Sequence, residues 1–212
     1  MCIRDSTSGA LAWIGKEVDS SDIIHEILQD LIYYQKSGGG ITLSGGEPLQ
    51  QKDFALDILQ KCREHRIHTA VETNLLTDIN TLEAFLPWVD LWMCDFKMAD
   101  DTLHRKWTGH SNVPIIKNLE FLAKQAVPMT IRTPIIPNVN DSEEAIESIC
   151  RFIRQLPNQP AYELLGFHSL GFVKFENLGM KNPLSNSAFL KKGQLQKLNE
   201  ILIRYNLNNN KK

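Results

Sequence analysis

Cysteine is scarce and scattered in this chain: four residues, at positions 2, 62, 94 and 150. No two lie close enough to make a C-x-x-C ligand pair, and the spacing gives no sign of a disulfide scaffold. Cys62 and Cys150 fall in helical patterns and Cys94 in a strand-like run, so these are expected to be small buried side chains. Basic excess is also missing. Lys and Arg total 23 against 25 Asp and Glu, a formal charge of −2, which leaves nothing to neutralise a phosphate backbone and argues against a nucleic-acid partner. No apolar run approaches the roughly 18 residues that a membrane-spanning helix needs. Met1-Cys2-Ile3-Arg4-Asp5-Ser6 has no apolar stretch behind it, so a signal peptide is not expected, nor a membrane partner, and the expected location is the cytoplasm. What is present is 212 residues with 42% apolar content, enough for one sizeable domain with its own core.

Strand-like and helix-like segments alternate along the chain, the pattern of an α/β architecture. Ile23, Ile24, Ile27, Leu28, Leu31 and Ile32 recur at helical spacing behind the capping candidates Asp19 and Ser20. Gly38-Gly39-Gly40 ends that helix, and Ile41-Thr42-Leu43 reads as a first strand. Further strands are expected at Ile67–Val71, Asp90–Phe96, Met129–Thr133 and Tyr162–Phe167. Helices are expected through Phe54, Ile58, Leu59 and Cys62, over Ile115–Ala126, and behind a capping box of Asp141 and Glu144. Leu195, Leu198, Ile201, Leu202 and Tyr205 close the chain with an amphipathic helix, followed by a polar tail, 206–212. Leu170–Ser187 reads as a long loop able to cover a site. Strands separated by helical crossovers lie parallel. At this level an open barrel and a doubly wound sheet fit equally well.

Polar and glycine residues collect just after the expected strands. Ser44-Gly45-Gly46-Glu47-Pro48 follows the first, Glu72-Thr73-Asn74 the second, and Asp95-Phe96-Lys97 ends the third. Arg132 lies in the fourth and His168 follows the fifth. Parallel α/β folds bind ligands at the carboxyl ends of their strands, where the loops converge. Each piece has a plain structural reading too. Gly45-Gly46 serves as a tight turn, Asp95 with Lys97 as an internal ion pair, and His168 as a satisfied interior side chain. Arg132, in an otherwise apolar strand, needs a carboxylate or a ribose as partner. Taken together, Gly45, Gly46, Glu47, Asp95, Lys97, Arg132 and His168 describe a pocket for a small molecule carrying both ammonium and carboxylate.

Ser37-Gly38-Gly39-Gly40-Ile41-Thr42-Leu43-Ser44-Gly45-Gly46-Glu47-Pro48-Leu49 resembles the SGGGxTxSGGEPL block of the glycyl-radical-enzyme activating enzymes, the pyruvate formate-lyase activase family. Val71-Glu72-Thr73-Asn74 resembles that family's (D/E)TN strand end, and Met93-Cys94-Asp95-Phe96-Lys97 its M-x-D-x-K. Arg132-Thr133-Pro134 through Asn140-Asp141 resembles its R-x-P-x-(I/V)-P-x-x-(N/S)-D, and Gly166-Phe167-His168 through Lys174-Phe175 its (P/G)-(Y/F)-H-x-L-G-x-x-K-(Y/F). The resemblance runs in order from about Thr7 to the last helix. It implies a partial (β/α)6 radical S-adenosylmethionine (SAM) barrel and one-electron cleavage of SAM by a [4Fe-4S] cluster. The 5′-deoxyadenosyl radical so formed takes a hydrogen atom from a glycine of a partner glycyl radical enzyme. It further implies that Gly45, Gly46 and Glu47 hold the methionyl amine, and that Asp95, Lys97 and His168 bind the amino-acid end with Arg132 nearby. A monovalent cation is implied at Glu72, Thr73, the Met93 carbonyl and Asp95, and a flavodoxin or ferredoxin as electron donor.

The family holds its cluster with C-x-x-x-C-x-x-C after the first barrel strand, and this sequence contains no such run. Relative to the family, the barrel is therefore expected to lack its first, cluster-bearing strand. Thr7-Ser8-Gly9-Ala10-Leu11 resembles the C-P-(T/S)-G-A-L that closes a ferredoxin-like insert. The expected organisation is a non-native scar at 1–6, a remnant of that insert with a linker at 7–18, a partial barrel at 19–205, and the tail. A chain without those thiolates is expected to be inactive alone. Two other readings stand beside the activase: a SAM- or partner-binding pseudoenzyme, and a cluster-free lyase using Lys97 as a Schiff-base nucleophile. The carboxylate of Asp95 beside that lysine disfavours the last.

Overall fold

A computed structural model describes residues 16–169, 172–182, 184 and 190–207, apart from the side chains of Lys174 and Glu176. The expected scar, most of the expected insert remnant, and 208–212 lie outside the described residues. In chain order the elements are α1 (Ser20–Gln29), α2 (Leu31–Ser37), β1 (Gly40–Leu43), α3 (Lys52–Glu64), β2 (His68–Thr73), α4 (Ile79–Phe85) and β3 (Leu91–Asp95). There follow α5 (Asp101–Thr108), α6 (Val113–Lys124), β4 (Met129–Ile135), α7 (Glu143–Ile153), β5 (Ala161–Gly166), α8 (Phe172–Asn177) and α9 (Gln194–Arg204).

The five strands form one parallel sheet in the order β1-β2-β3-β4-β5. Sequential order separates the two architectures that periodicity leaves open. A doubly wound sheet reverses direction at a switch point, whereas an open (β/α) barrel adds each strand beside the last. This fold is the second kind, a partial (β/α) barrel.

Alternation along the strands sorts the sheet into two faces. Trp92 and Cys94 of β3, Ile131, Thr133 and Ile135 of β4, and Tyr162 of β5 are essentially inaccessible and pack beneath the helices. Burying side chains such as Trp92 and Ile131 contributes about 1.5–3 kcal/mol each. The opposite face carries Glu72, Met93, Asp95, Arg132 and Glu163, none of them buried. Register pairs Glu72 with Met93, Asp95 with Arg132, and Arg132 with Glu163. The sheet thus presents a charged inner face.

The helices follow from apolar stripes and caps. Ile146, Ile149, Cys150 and Ile153 give α7 one buried stripe at helical spacing. Its cap is Ser142, whose side chain accepts from the Ala145 amide at 3.2 Å. Asp141, expected in that role, instead accepts from the Asn138 amide and from Gln194 Nε2. The stripe from Ile23 to Ile32 is broken at Asp30, where φ −98° and ψ 7° separate α1 from α2. The sequence pattern assigns nothing to α4 and α5. Asp78 and Asp100 open them by accepting from the Thr81 and Leu103 amides. The expected loop 170–187 contains α8. At the chain's end, the Leu207 amide bonds back to the Leu202 carbonyl and its side chain is buried in the core, so the polar tail begins after it.

Two glycines before β1 have different tasks. Gly38 ends α2 in the left-handed region, φ 68°. Gly40 lies against its neighbour on β2 so closely that an added Cβ would stand 1.8 Å from the His68 carbonyl oxygen. Gly40→Ala is therefore expected to push β1 off β2 and lower stability by about 1–3 kcal/mol. Gly46→Ala, where an added Cβ meets nothing within 4 Å, should change it by no more than about 0.5 kcal/mol. Urea denaturation of both variants checks the contrast.

Candidate functional site

A cleft of about 370 Å³ opens at the carboxyl ends of β1, β2 and β3, lined by Gly45, Gly46, Glu47, Glu72, Thr73, Asn74, Asp95 and Lys97. All eight come from the three strand-end segments that the sequence singles out, Ser44-Gly45-Gly46-Glu47-Pro48, Glu72-Thr73-Asn74 and Asp95-Phe96-Lys97. They meet because a parallel sheet places all its carboxyl ends on one rim.

Glu47 ties two of those segments together. Its Oε1 accepts from Thr73 Oγ1 at 2.7 Å and from the Leu49 amide at 3.3 Å, while Oε2 accepts from the Asn74 amide at 2.9 Å. A carboxylate offers about four acceptor positions. Three are used by the protein, and the remaining one belongs to Oε2. The hydroxyl of Thr73 donates to Glu47 and accepts from the Leu75 amide at 3.0 Å. Leu75 is fully buried in the left-handed region, φ 58°, a conformation that costs a leucine about 1–3 kcal/mol. Asn118, itself buried, holds that turn by donating from Nδ2 to the carbonyls of Leu75 and Thr77 at 2.9 and 2.8 Å.

On the opposite wall Lys97 Nζ meets Asp95 Oδ2 at 2.9 Å, with the two side chains 32% and 23% exposed. The pair is half-buried, held together, and open to the cleft on one side. Gly45 sits at φ 110°, and an added Cβ at Gly45 or Gly46 would meet no atom within 4 Å. That open space lets a ligand approach the backbone of both residues directly. A free backbone edge, one unused carboxylate position and a lysine ammonium together suit an amino-acid zwitterion.

Arg132 and His168 stand apart from the lining of this cleft. Arg132 Nη1 lies 3.0 Å from Glu72 Oε1, and its Nε lies 3.7 Å from Glu163 Oε2. At that separation Nε is buried without a hydrogen-bond partner. His168 is exposed after β5. Both carboxylates of the expected cation cage carry a cationic partner in this structure, Glu72 through Arg132 and Asp95 through Lys97. The sequence pattern asks for a carboxylate or a ribose beside Arg132 and names neither of the two carboxylates found there. Glu163 was findable, because it alternates onto the same face of β5 that Arg132 occupies on β4. Asn118 carried no such signal, since its role depends on a loop 41–43 residues earlier.

None of the three described cysteines lines the cleft. Cys62, Cys94 and Cys150 are free and buried. Burial raises the thiol of Cys62 to about 11 and that of Cys150 to about 12. Cys94 is pushed well up by burial and, secondarily, by the nearby Asp95 and Glu47 carboxylates. A cysteine ligates a metal as its thiolate, the form that burial disfavours. Among the described residues no group of three or more His, Cys, Asp or Glu side chains is placed to hold a metal ion. Among them, too, no helix is long and apolar enough to cross a membrane.

Comparison with known proteins agrees with the fold. The family model for the radical SAM superfamily matches residues 2–152. An isethionate sulfite-lyase activating enzyme of Desulfovibrio desulfuricans is 37% identical over 192 residues, 90% of this chain and 61% of that protein. A pyruvate formate-lyase-activating enzyme of Clostridium pasteurianum is 34% identical over 188 residues, 89% of this chain and 79% of that protein. A crystal structure of a domain of pyruvate-formate lyase-activating enzyme from Bacteroides vulgatus superposes with a TM-score of 0.68 at 31% identity, covering 80% of this chain and 96% of that one. The chain spans 59–61% of the length of the isethionate sulfite-lyase activating enzymes it matches.

Two outcomes follow from the geometry. Glu47→Gln removes an acceptor shared by two strand ends and should cost about 1–3 kcal/mol in urea denaturation. Iodoacetamide at pH 8 should leave Cys62, Cys94 and Cys150 unmodified in the folded protein and label all three in urea, as read by peptide mass spectrometry.

Proposed function

The chain belongs to the radical SAM superfamily and, within it, to the glycyl-radical-enzyme activating enzymes; from that premise we propose that its strand-end cleft binds the methionyl end of SAM. The observation that carries this reading is the convergence of Gly45, Gly46, Glu47, Asp95 and Lys97 on one cleft. In this reading the ligand's ammonium takes the free position on Glu47 Oε2 and the exposed carbonyls beside Gly45 and Gly46. Its carboxylate meets Lys97, which Asp95 keeps in place from 2.9 Å. Arg132, on β4, and His168, after β5, lie outside the lining of this cleft, so the amino-acid end is assigned here to Asp95 and Lys97. Glu72, Thr73, Met93 and Asp95 are the proposed surround of a monovalent cation, whose hard oxygen donors suit it. Binding it requires Glu72 to share its carboxylate with Arg132.

SAM, when bound and reduced by one electron, would release methionine and supply a 5′-deoxyadenosyl radical to take a hydrogen atom from a glycine of the partner glycyl radical enzyme. We propose that partner for the activity as a whole, with a flavodoxin or ferredoxin as electron donor. The cysteines at 2, 62, 94 and 150 contain no ligand triplet, and the three described ones are buried. On that ground this chain alone is proposed not to assemble the cluster. The same observation favours a second reading, a SAM- or partner-binding protein without radical chemistry.

Titration calorimetry with SAM tests the cleft. Saturable binding is expected, weakened about tenfold or more by Lys97→Met and by Asp95→Asn, because a hydrogen bond to a charged group contributes about 1.5–3 kcal/mol. Unchanged affinity in both variants would sink the assignment. Anaerobic incubation with iron and sulfide separates the two readings: a chelatable cluster on this chain favours the activase, and its absence alongside SAM binding favours the second.

A further inference from the structure

Between β3 and α5 the backbone leaves regular structure, and four consecutive carbonyls there, from Phe96 to Ala99, have no strand or helix partner of their own. Each accepts a side-chain hydrogen bond from elsewhere in the chain. Thr133 Oγ1 donates to the Phe96 carbonyl at 2.6 Å, and Asn140 Nδ2 to that of Lys97 at 3.0 Å. Asn112 Nδ2 donates to those of Met98 and Ala99 at 3.0 and 2.8 Å. The donors are buried, with exposures of 0% for Thr133, 3% for Asn140 and 1% for Asn112.

The two peptide planes flanking Lys97 end in the Phe96 and Lys97 carbonyls. Because a peptide unit is planar, fixing the orientation of both planes fixes φ and ψ of the residue between them. Thr133 holds the first plane and Asn140 the second. Neither donor is free to turn. Thr133 Oγ1 accepts from Tyr162 Oη at 3.1 Å. Asn140 uses its second Nδ2 proton on the Pro134 carbonyl at 2.9 Å and its Oδ1 on the Ile136 amide at 2.7 Å. Every hydrogen-bonding position on the Asn140 amide nitrogen is therefore spoken for, and the amide is oriented without ambiguity.

We propose that Thr133 and Asn140, backed by Asn112, are positioning residues that aim Lys97 into the cleft. They touch neither the cleft nor its ligand and act through the backbone on either side of the lysine. This deepens the reading of Lys97 as the contact for the ligand's carboxylate and rests on it for its functional meaning. Arg132-Thr133-Pro134 and Asn140-Asp141 are thereby given a task distinct from binding: one segment of β4 and its loop orients a side chain just after β3.

The test uses the full chain and three variants: Thr133→Val, which keeps the shape and removes the hydroxyl; Asn140→Ala; and Thr133→Ser, which restores the donor. Ile201→Val, buried in α9, serves as a control for general destabilisation. All are compared at a temperature where thermal melts show each to be folded. The rate of Lys97 acetylation by acetic anhydride, read by peptide mass spectrometry against the exposed Lys191, reports on the lysine directly. It should rise at least threefold in Thr133→Val and Asn140→Ala, return to the wild-type rate in Thr133→Ser, and stay unchanged in Ile201→Val. SAM affinity should fall at least fivefold in the first two variants only. Lys97 rates within 1.5-fold of wild type in both Thr133→Val and Asn140→Ala overturn the proposal, as does an equal rise in Ile201→Val. Should the wild type bind no SAM while the Lys97 rates respond as expected, the reading of the cleft fails and the positioning role stands.

Discussion

Parallel hydrogen bonding between neighbouring strands is the constraint on which the rest of this structure depends. Because every strand of the sheet runs the same way, all carboxyl ends fall on one rim, and the side chains at those ends share one space. Residues far apart in sequence, such as Gly46 and Lys97, line a single cleft for this reason. A strand reversed in direction would send its terminal polar group to the opposite rim. The chemistry of the site is thus a consequence of topology before it is a consequence of any particular side chain.

Irregular backbone at the rim carries a cost that the ladder does not meet. Its buried amides and carbonyls lose water and have no strand partner, at about 1–3 kcal/mol for each group left unsatisfied. Polar side chains from the next element or loop meet that cost here. Glu47 serves the end of β2, Asn118 serves the turn at Leu75 and Thr77, and Thr133, Asn140 and Asn112 serve the segment after β3. Each bond stabilises a loop conformation. At Asn74 and Lys97 the bonds that stabilise the rim also hold backbone that lines the cleft.

Charge is distributed by the same alternation. One face of the sheet is apolar and packed, whereas the other carries Glu72, Asp95, Arg132 and Glu163 within reach of one another. Arg132, 19% exposed, spans carboxylates on two different strands. Partly buried charges of this kind require partners, and removing one partner costs more than the pair contributes. The described cysteines lie outside this polar face: Cys94 points to the packed side of β3, while Cys62 and Cys150 sit in helix stripes. Their burial makes them core side chains with raised thiols.

How much of this was legible beforehand depends on the range of the interactions involved. Apolar periodicity located the five strands and the long helices, because burial of a face acts locally along the chain. It passed over α4 and α5, whose caps at Asp78 and Asp100 depend on single side chains, and the break at Asp30 within one continuous apolar stripe. The family motifs named Gly45, Gly46, Glu47, Asp95 and Lys97, which the fold brings to one cleft, together with Arg132 and His168, which lie outside its lining. By itself the sequence determined the elements, the parallel sense of the sheet and the residue types at the strand ends, since these follow from local pattern and from the length of each crossover. Tertiary structure alone decided the strand order, the partners of Arg132, and which distant hydroxyl and amides hold the backbone around Lys97. Those are contacts between segments tens of residues apart, and local sequence carries no signal of which group will lie opposite which once the sheet has closed.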